Sequence, residues 1–473
     1  MSDHRRQASL GRIKNIHMVG IGGIGMSSIA EVLLARGFRV SGSDLKKSDV
    51  TERLESLGAI IYEGHAADHL ENADVVVYSS AVKAASNPET QEAERRRIPL
   101  IGRAVMLAEL MRMKYGIGIA GTHGKTTTTS MAGLVIKEGG FDPTIIVGGK
   151  VASFDSNAVS GEGDIIVIEA DEYDRTFLRL TPILAVITNI EADHLDIYKD
   201  LDEIKTAFVD FANAVPFFGA AILCLDDPTV REVLQQVKRR VITYGISRQA
   251  AVRAENISRE GQAVRFQVMN GADLLGDVVL NAPGLHNVRN ALAAVAVAIE
   301  LDIPFEKIRD GLAAFTGVNR RFQLKGEEKG ILVVDDYAHH PTEIEATLEA
   351  ASNGWLGRRV VAVFQPHLYS RTRDFQDDFA RAFFNADVLV LTQVFGAREE
   401  PIEGIDGKLL ADLAMRYGHR NVHYIPEKTD LPAYLAGITL AGDIVVTMGA
   451  GDIWRYGEAF LKQVEEREAA TEA

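Results

Sequence analysis

The 473-residue chain has a single cysteine, Cys224, so no disulfide can form within it. That fits a reducing compartment, and a cytoplasmic location is expected. Cys224 lies in the apolar run "AAILCLDD" and reads as core filler. No apolar run reaches the roughly 18 residues a membrane span needs, so no membrane partner is expected. Positive charge is short: 51 Lys+Arg against 66 Asp+Glu leave a net charge of −15. Such a chain is a poor general binder of nucleic acid or anionic membranes, although local basic pockets for anionic substrates remain open. The N-terminal "MSDHRRQASLGR" is basic but lacks the apolar centre of a signal peptide, so no secretory leader is expected. Strong repeats and low-complexity segments are also missing.

What is present is an alternation of short, β-branched, nearly continuous apolar runs with helical patterns. Such runs lie at Asp74–Tyr78, Gly116–Ile119, Asp164–Glu169, Ile183–Thr188, Ile331–Asp335, Val360–Phe364, Asp387–Leu391 and Asp443–Thr447. Strands covered on both faces have this character, so the expected class is α/β with parallel sheets. Residues 251–280 differ, alternating apolar and polar across Gly-containing turns, and predict a small antiparallel patch ahead of a helix at His286–Leu301. The pattern restarts near Lys114 and again near Gly317–Arg321. Three domains are expected, at 1–113, 114–318 and 319–473, the first and third Rossmann-like and the second like a P-loop ATPase. The terminal "VEEREAATEA" is expected to fray from a helix.

Two glycine-rich loops carry anion chemistry. "MVGIGGIGMSS" holds G-x-G-x-x-G at Gly20, Gly22 and Gly25, between a strand-like and a helix-like run. Asp44 follows 19 residues past Gly25. Alone, this is a dinucleotide-binding fingerprint, and a dehydrogenase is one reading. The second loop, "GIGIAGTHGKTTTTS", is more specific. Gly121 and Gly124 permit tight turns, Lys125 can reach β/γ-phosphates, and the Thr126 hydroxyl can ligate Mg²⁺. Backbone N–H groups over Gly121, Thr122, His123, Gly124, Lys125, Thr126 and Thr127 make the anion seat. The usual Walker spacing is missed by one, because five residues separate Gly118 from Gly124.

This compressed loop resembles that of the Mur ligase and folylpolyglutamate synthetase superfamily of ATP-dependent amide-forming enzymes. "EADEYDRTFL", "TNIEADHLDIY", "GLHNVRNALAA", "RRFQ", "DDYAHHPTEI", "FQPHLYSRTRDF" and "AREEPIEG" extend the likeness from Gly20 to about Ile453, in the family's order. They look like the alanine-adding branch of the Mur ligases. The resemblance implies joining of L-alanine to the lactoyl carboxylate of UDP-N-acetylmuramate in peptidoglycan precursor synthesis. ATP and Mg²⁺ are the implied cofactors, and a monomer or weak homodimer the expected state. A carboxylate is a poor electrophile, so the γ-phosphoryl group first makes an acyl phosphate, which the amine then attacks. Positioning and charge neutralisation suffice, and shielding of the acyl phosphate from water is expected.

Site roles follow from the resemblance. Lys125, Glu169, His194, His367 and Arg371 are the implied catalytic set, with Thr126, Glu169 and His194 on the metal. The bland alternatives are a solvated strand-end acid for Glu169 and a capping or core histidine for His194. Asp171, Glu172, Asp193 and Asp196 stand either as supporting partners or as surface acids. His286, Asn287 and Asn290 are implied at the adenine, although His286 and Asn287 could instead cap their helix. One of Arg320 and Arg321 would clamp the γ-phosphate, and Arg320 and Asp336 are assigned to the ATP side. Tyr337, His339, His340, His367 and Arg371 would frame the amino acid and the lactoyl carboxylate, with Arg371 as a bidentate clamp unless it pairs with Asp374. Zinc at His339–His340 is not expected, because no further ligand has suitable spacing. Leu368 stands where family members often carry Arg, which shifts weight onto Arg371. The modified lysine of sister ligases has no counterpart near Phe208; Lys205 is off register.

The first loop then takes a sugar nucleotide. Gly20, Ile21, Gly22, Gly23, Ile24, Gly25, Met26 and Ser27 would cradle its diphosphate, with Asp44 at the uridine and Ser79 and Ser80 lining the pocket. Three other readings remain: a recycling ligase that attaches a preformed peptide, a degenerate nucleotide sensor, and the dehydrogenase.

Overall fold

The computed structural model describes residues 10–151, 156–195, 197–397 and 399–469. Its three mostly parallel sheets, with helices between their strands, form a three-domain α/β fold. The first sheet has five parallel strands in the order Ile60–Glu63, Arg39–Asp44, Asn15–Val19, Val75–Tyr78 and Leu100–Gly102. The chain reverses direction across the sheet at Asn15–Val19, so the first glycine-rich loop leaves the central strand at the switch point.

The second sheet has ten strands. Its working centre is Leu184–Ile187, Tyr115–Ala120 and Ile165–Glu169, side by side and parallel. The expected antiparallel patch is present as strands Val252–Glu260, Ala263–Asn270 and Asp273–Leu280, joined by two-residue turns that only antiparallel neighbours allow. The helix after it spans Leu285–Glu300, one residue earlier at each end than the sequence pattern suggests.

The third sheet has six strands, ordered Gln323–Glu328, Ile331–Asp336, Ile444–Met448, Val360–Phe364, Val388–Leu391 and Val422–Tyr424. Val360–Phe364, "VVAVF", is buried at every position, as a doubly covered parallel strand should be. Two antiparallel pairs lie outside the sequence expectation: Thr144–Val151 with Ser156–Val159, and Gln323–Glu328 with Ile331–Asp336. Their sequences are rich in Gly, Lys and Glu and lack the apolar continuity that marks a buried strand.

By contact the chain divides into two compact units: Met1–Asn256 with Phe266–Val278 and Arg289–Phe315, and Ile257–Arg265 with Val279–Val288 and Thr316–Ala473. The C-terminal helix runs from Trp454 to Ala469. The last four residues, and the start of the basic N-terminus, lie outside the described residues. Cys224 is buried in strand Ala220–Cys224, and burial pushes its thiol up to about 11, so it is core as expected. Among the described residues no helix is long and apolar enough to cross a membrane.

Candidate active site

The second glycine-rich loop leaves Tyr115–Ala120 and enters the helix Lys125–Glu138. Gly121 has φ +140° and a Cβ there would meet Thr188 Oγ1 at 1.9 Å, so only glycine fits. Gly124, the N-cap, has φ +82°, and a Cβ would fall 2.6 Å from Asn290 Oδ1. Asn290 also accepts from Thr128 Oγ1 at 3.1 Å. It therefore buttresses the phosphate loop, a placement that the adenine assignment did not foresee. Asn189 ties down the loop from the next strand end: its Oδ1 accepts from His123 N–H at 2.8 Å, and its amide donates to His123 O at 3.0 Å.

Four charged or polar groups converge beneath this loop. Lys125 Nζ lies 2.9 and 2.7 Å from the two Glu172 oxygens and donates to Gly121 O at 2.7 Å. Thr126 Oγ1 donates to Glu169 Oε1 at 3.0 Å, and Gly148 N–H donates to the other Glu169 oxygen at 2.6 Å. His194 Nε2 lies 3.9 Å from Glu172 Oε1 and 3.8 Å from Asp193 Oδ2, and its ring meets Tyr173 edge-on at 5.1 Å. The His194 backbone is left-handed, φ +53°, a sparsely populated conformation for a residue with a Cβ. Glu172 and Asp193 are buried, so the surface-acid reading fails for both. Asp196 lies outside the described residues. Burial would lower Lys125, but Glu172, with Asp171 and Glu169, more than offsets it and holds the ammonium charged. Burial raises Glu169, and raises Glu172 to about 7 despite the lysine. A hydroxyl, desolvated carboxylates and one imidazole form a hard-oxygen set with a nitrogen, which suits Mg²⁺.

In the first domain Ser43 O accepts from Gly20 N–H and Ile21 N–H at 2.8 and 3.0 Å, and Asp44 Oδ2 accepts from Gly22 N–H at 2.8 Å. Gly23, Met26 and Ser27 N–H groups bond within the same turn. Most of the loop donors expected at the diphosphate are thus committed internally. Asp44 is bound to the loop itself. Ser79 packs on Gly20, its Cβ 3.1 Å from where a Gly20 Cβ would sit, and Ser80 is exposed. The helix that follows, Ile24–Ala35, packs against Thr144–Val151 and Ser156–Val159, and Asn157 Nδ2 donates to Ile24 O at 3.0 Å. Thr144–Val151 in turn pairs with the strand carrying Glu169, so one sheet edge links the two loops.

In the second unit, Asn287 Nδ2 donates to Pro283 O at 2.7 Å from inside the helix's first turn. The capping reading is therefore wrong: the helix begins at Leu285, and the Asn287 amide acts as a donor. His286 packs against Gly284. Arg320, φ +61°, bonds Asp335 at 3.1 Å and the Gly449 and Ala450 carbonyls at 2.6 and 3.3 Å, and sits over the Tyr337 ring. It acts here as an internal clamp. Arg321 pairs with Glu343 at 3.1 Å and shares the Tyr337 face. Asp336 accepts Phe322 N–H and Ala338 N–H, both at 2.8 Å, and burial raises its carboxyl to about 6. His339 lies between Tyr337 and His367, ring centroids 5.0 and 5.6 Å away, and His340 is buried against Phe375. Arg371 is buried at the start of Tyr369–Asp374, whereas Asp374 takes the neighbouring Arg373 at 2.7 Å. Leu368 adopts φ +66° at the N-cap of that helix.

Comparison with known proteins agrees along the whole length. Residues 15–115 match the Mur ligase family catalytic domain, 119–298 the Mur ligase middle domain and 320–451 the Mur ligase glutamate ligase domain. The chain is 67% identical over 465 residues to the UDP-N-acetylmuramate–L-alanine ligase of Salinibacter ruber, covering 98% of each. It is 56% identical over 455 residues to the enzyme of that name from Trichlorobacter lovleyi, covering 96% of this chain and 100% of that protein. The crystal structure of the UDP-N-acetylmuramate–alanine ligase of Thermotoga maritima superposes with a TM-score of 0.78 at 29% identity, over 96% of this chain and 100% of that one. A murein peptide ligase from Psychrobacter arcticus gives 0.65 at 27% identity, over 95% and 98%. Three domains matched in order, with a phosphate loop, its lysine and its acids at one sheet edge, place this chain in the Mur ligase family.

Proposed function

We propose that the chain joins L-alanine to the lactoyl carboxylate of UDP-N-acetylmuramate, consuming ATP and releasing ADP and phosphate. The carrying observation is the convergence of Lys125, Thr126, Glu169, Glu172 and His194 under one phosphate loop, in a chain 67% identical along its length to an alanine-adding ligase. The domain limits we adopt are 1–113, 114–318 and 319–473.

Lys125 orients and neutralises the β/γ-phosphates. Thr126, Glu169 and His194 would hold Mg²⁺, which supplies charge neutralisation on the phosphate oxygens. The lactoyl carboxylate oxygen attacks phosphorus and ADP leaves. The alanine nitrogen then attacks the acyl carbon, and collapse of the tetrahedral oxyanion expels phosphate. Arg371 clamps a carboxylate with its planar fork, while Tyr337, His339 and His367 shape the amino-acid side. Because Arg320 is occupied by Asp335 and two carbonyls, we assign the γ-phosphate clamp to Arg321, whose Glu343 pairing is exchangeable. His286 and Asn287 remain the adenine-side candidates, with Asn290 supporting the phosphate loop. The recycling-ligase reading has weaker support, since the peptide ligase of Psychrobacter arcticus is only 27% identical. Phosphate release measured with L-alanine, glycine, L-serine and a tripeptide as acceptors tests the proposal: L-alanine should be preferred, and tripeptide preference would overturn it.

A further inference from the structure

The first glycine-rich loop has lost most of its backbone donors to internal bonds. From Gly20 to Ser27, the N–H groups of Gly20, Ile21, Gly22, Gly23, Met26 and Ser27 are all taken. Those of Ile24 and Gly25 make no bond among the described residues. Beside them stands a side chain that the glycine fingerprint does not include. Arg103 begins the helix Arg103–Arg112, directly after strand Leu100–Gly102. Its Nη1 lies 2.6 Å, and its Cζ 3.3 Å, from where a Cβ on Gly25 would sit.

Arg103 is half-buried, and among the described residues it makes no hydrogen bond or ion pair. That is unusual in a chain with 66 acidic residues against 51 basic ones. Its position is also electrostatically unfavourable. It lies in the first turn of its own helix and against the first turn of Ile24–Ala35, where the helix dipole repels a cation. Neither helix has an acidic residue in its first turn or a side-chain cap. An anion bridging the guanidinium and the two free N–H groups would resolve both problems.

We infer that Arg103, together with the Ile24 and Gly25 N–H groups, is the binding seat for a diphosphate, the one carried by the sugar-nucleotide substrate. The inference rests on the proposed assignment of this loop to that substrate and adds the cation it lacks. The fork of a guanidinium suits two phosphate oxygens at once. Gly25 then has a specific purpose: it makes room for the guanidinium, because any side chain there would displace it.

The test uses the full chain with UDP and uridine as probes, followed by calorimetry. Arg103→Met should weaken UDP binding about 10- to 100-fold and leave uridine binding within twofold. The KM for UDP-N-acetylmuramate should rise in step, while the KM for ATP stays within twofold. Arg103→Lys should recover part of the UDP affinity. The Tm of ligand-free Arg103→Met should match or exceed wild type, since no bond is lost. UDP affinity unchanged in Arg103→Met would overturn the inference while leaving the loop assignment standing, as would equal losses for UDP and uridine. A wild-type chain that binds neither probe would overturn the loop assignment and the inference with it.

Discussion

Lys125 and Glu172 form a buried ion pair across the mouth of the phosphate loop, Nζ to Oε2 2.7 Å, with Glu172 only 3% exposed. The lysine that should meet the nucleotide is held by a carboxylate when no nucleotide is there. ATP must therefore compete with Glu172, and the competition depends on pH. Burial raises Glu172 to about 7, so protonation on the acid side of that value frees Lys125. The KM for ATP should fall as pH drops from about 8 to about 6.5. In Glu172→Gln that slope should flatten, because the competing charge is gone at every pH. Parallel slopes in wild type and variant would show that the pair does not gate binding.

Lys125→Ala should reduce ATP-dependent phosphate release about 10²–10³-fold, the usual cost of one preorganised donor at a developing charge. Glu172 left behind should take up a proton and so avoid the full penalty of an unpaired buried charge. UDP binding, which uses the first loop, should be unchanged. Normal turnover would contradict the assignment of this loop to ATP.

Asp336 carries a pH signature of stability. Its folded carboxyl sits near 6, above the ordinary carboxylate value of 3.8. The folded state therefore binds the proton more tightly than the unfolded chain. The contribution is fully present below about 4 and is lost as pH rises to about 6. Asp336→Asn should remove that part of the pH dependence of Tm. It should also lower Tm overall, since one amide oxygen must replace two oxygens that accept Phe322 and Ala338 N–H groups, a loss of about 1–3 kcal/mol. An unchanged pH profile in the variant would place the titration elsewhere.

Arg371 and Asp374 are one helical turn apart, yet Asp374 is held by Arg373. Asp374→Ala should leave turnover within about twofold of wild type. Arg371→Lys should reduce it strongly, because a point charge cannot replace a bidentate fork. Strong loss in both variants would revive the pairing of Arg371 with Asp374.

The parallel strands were legible because burial on both faces leaves continuous β-branched runs such as "VVAVF". The phosphate loop was legible because glycines, lysine and threonine must keep fixed spacing. Edge strands such as Gln323–Glu328 were not, since one polar face erases the signal. Side-chain partnerships were the least visible. Nothing in "FTGVNRRFQ" says that Arg320 spends its guanidinium on Asp335 and the Gly449 carbonyl, more than a hundred residues away. Asn189 and Arg103 were missed for the same reason, although an Arg directly following a strand-end glycine was a signal available at Gly102–Arg103.

The central claim is settled most directly by incorporation of labelled L-alanine into a UDP-linked product. The account predicts product only when UDP-N-acetylmuramate, ATP and Mg²⁺ are all present, with one phosphate released per alanine joined. Product formed without ATP, or a UDP-linked product obtained from tripeptide and not from L-alanine, would contradict it.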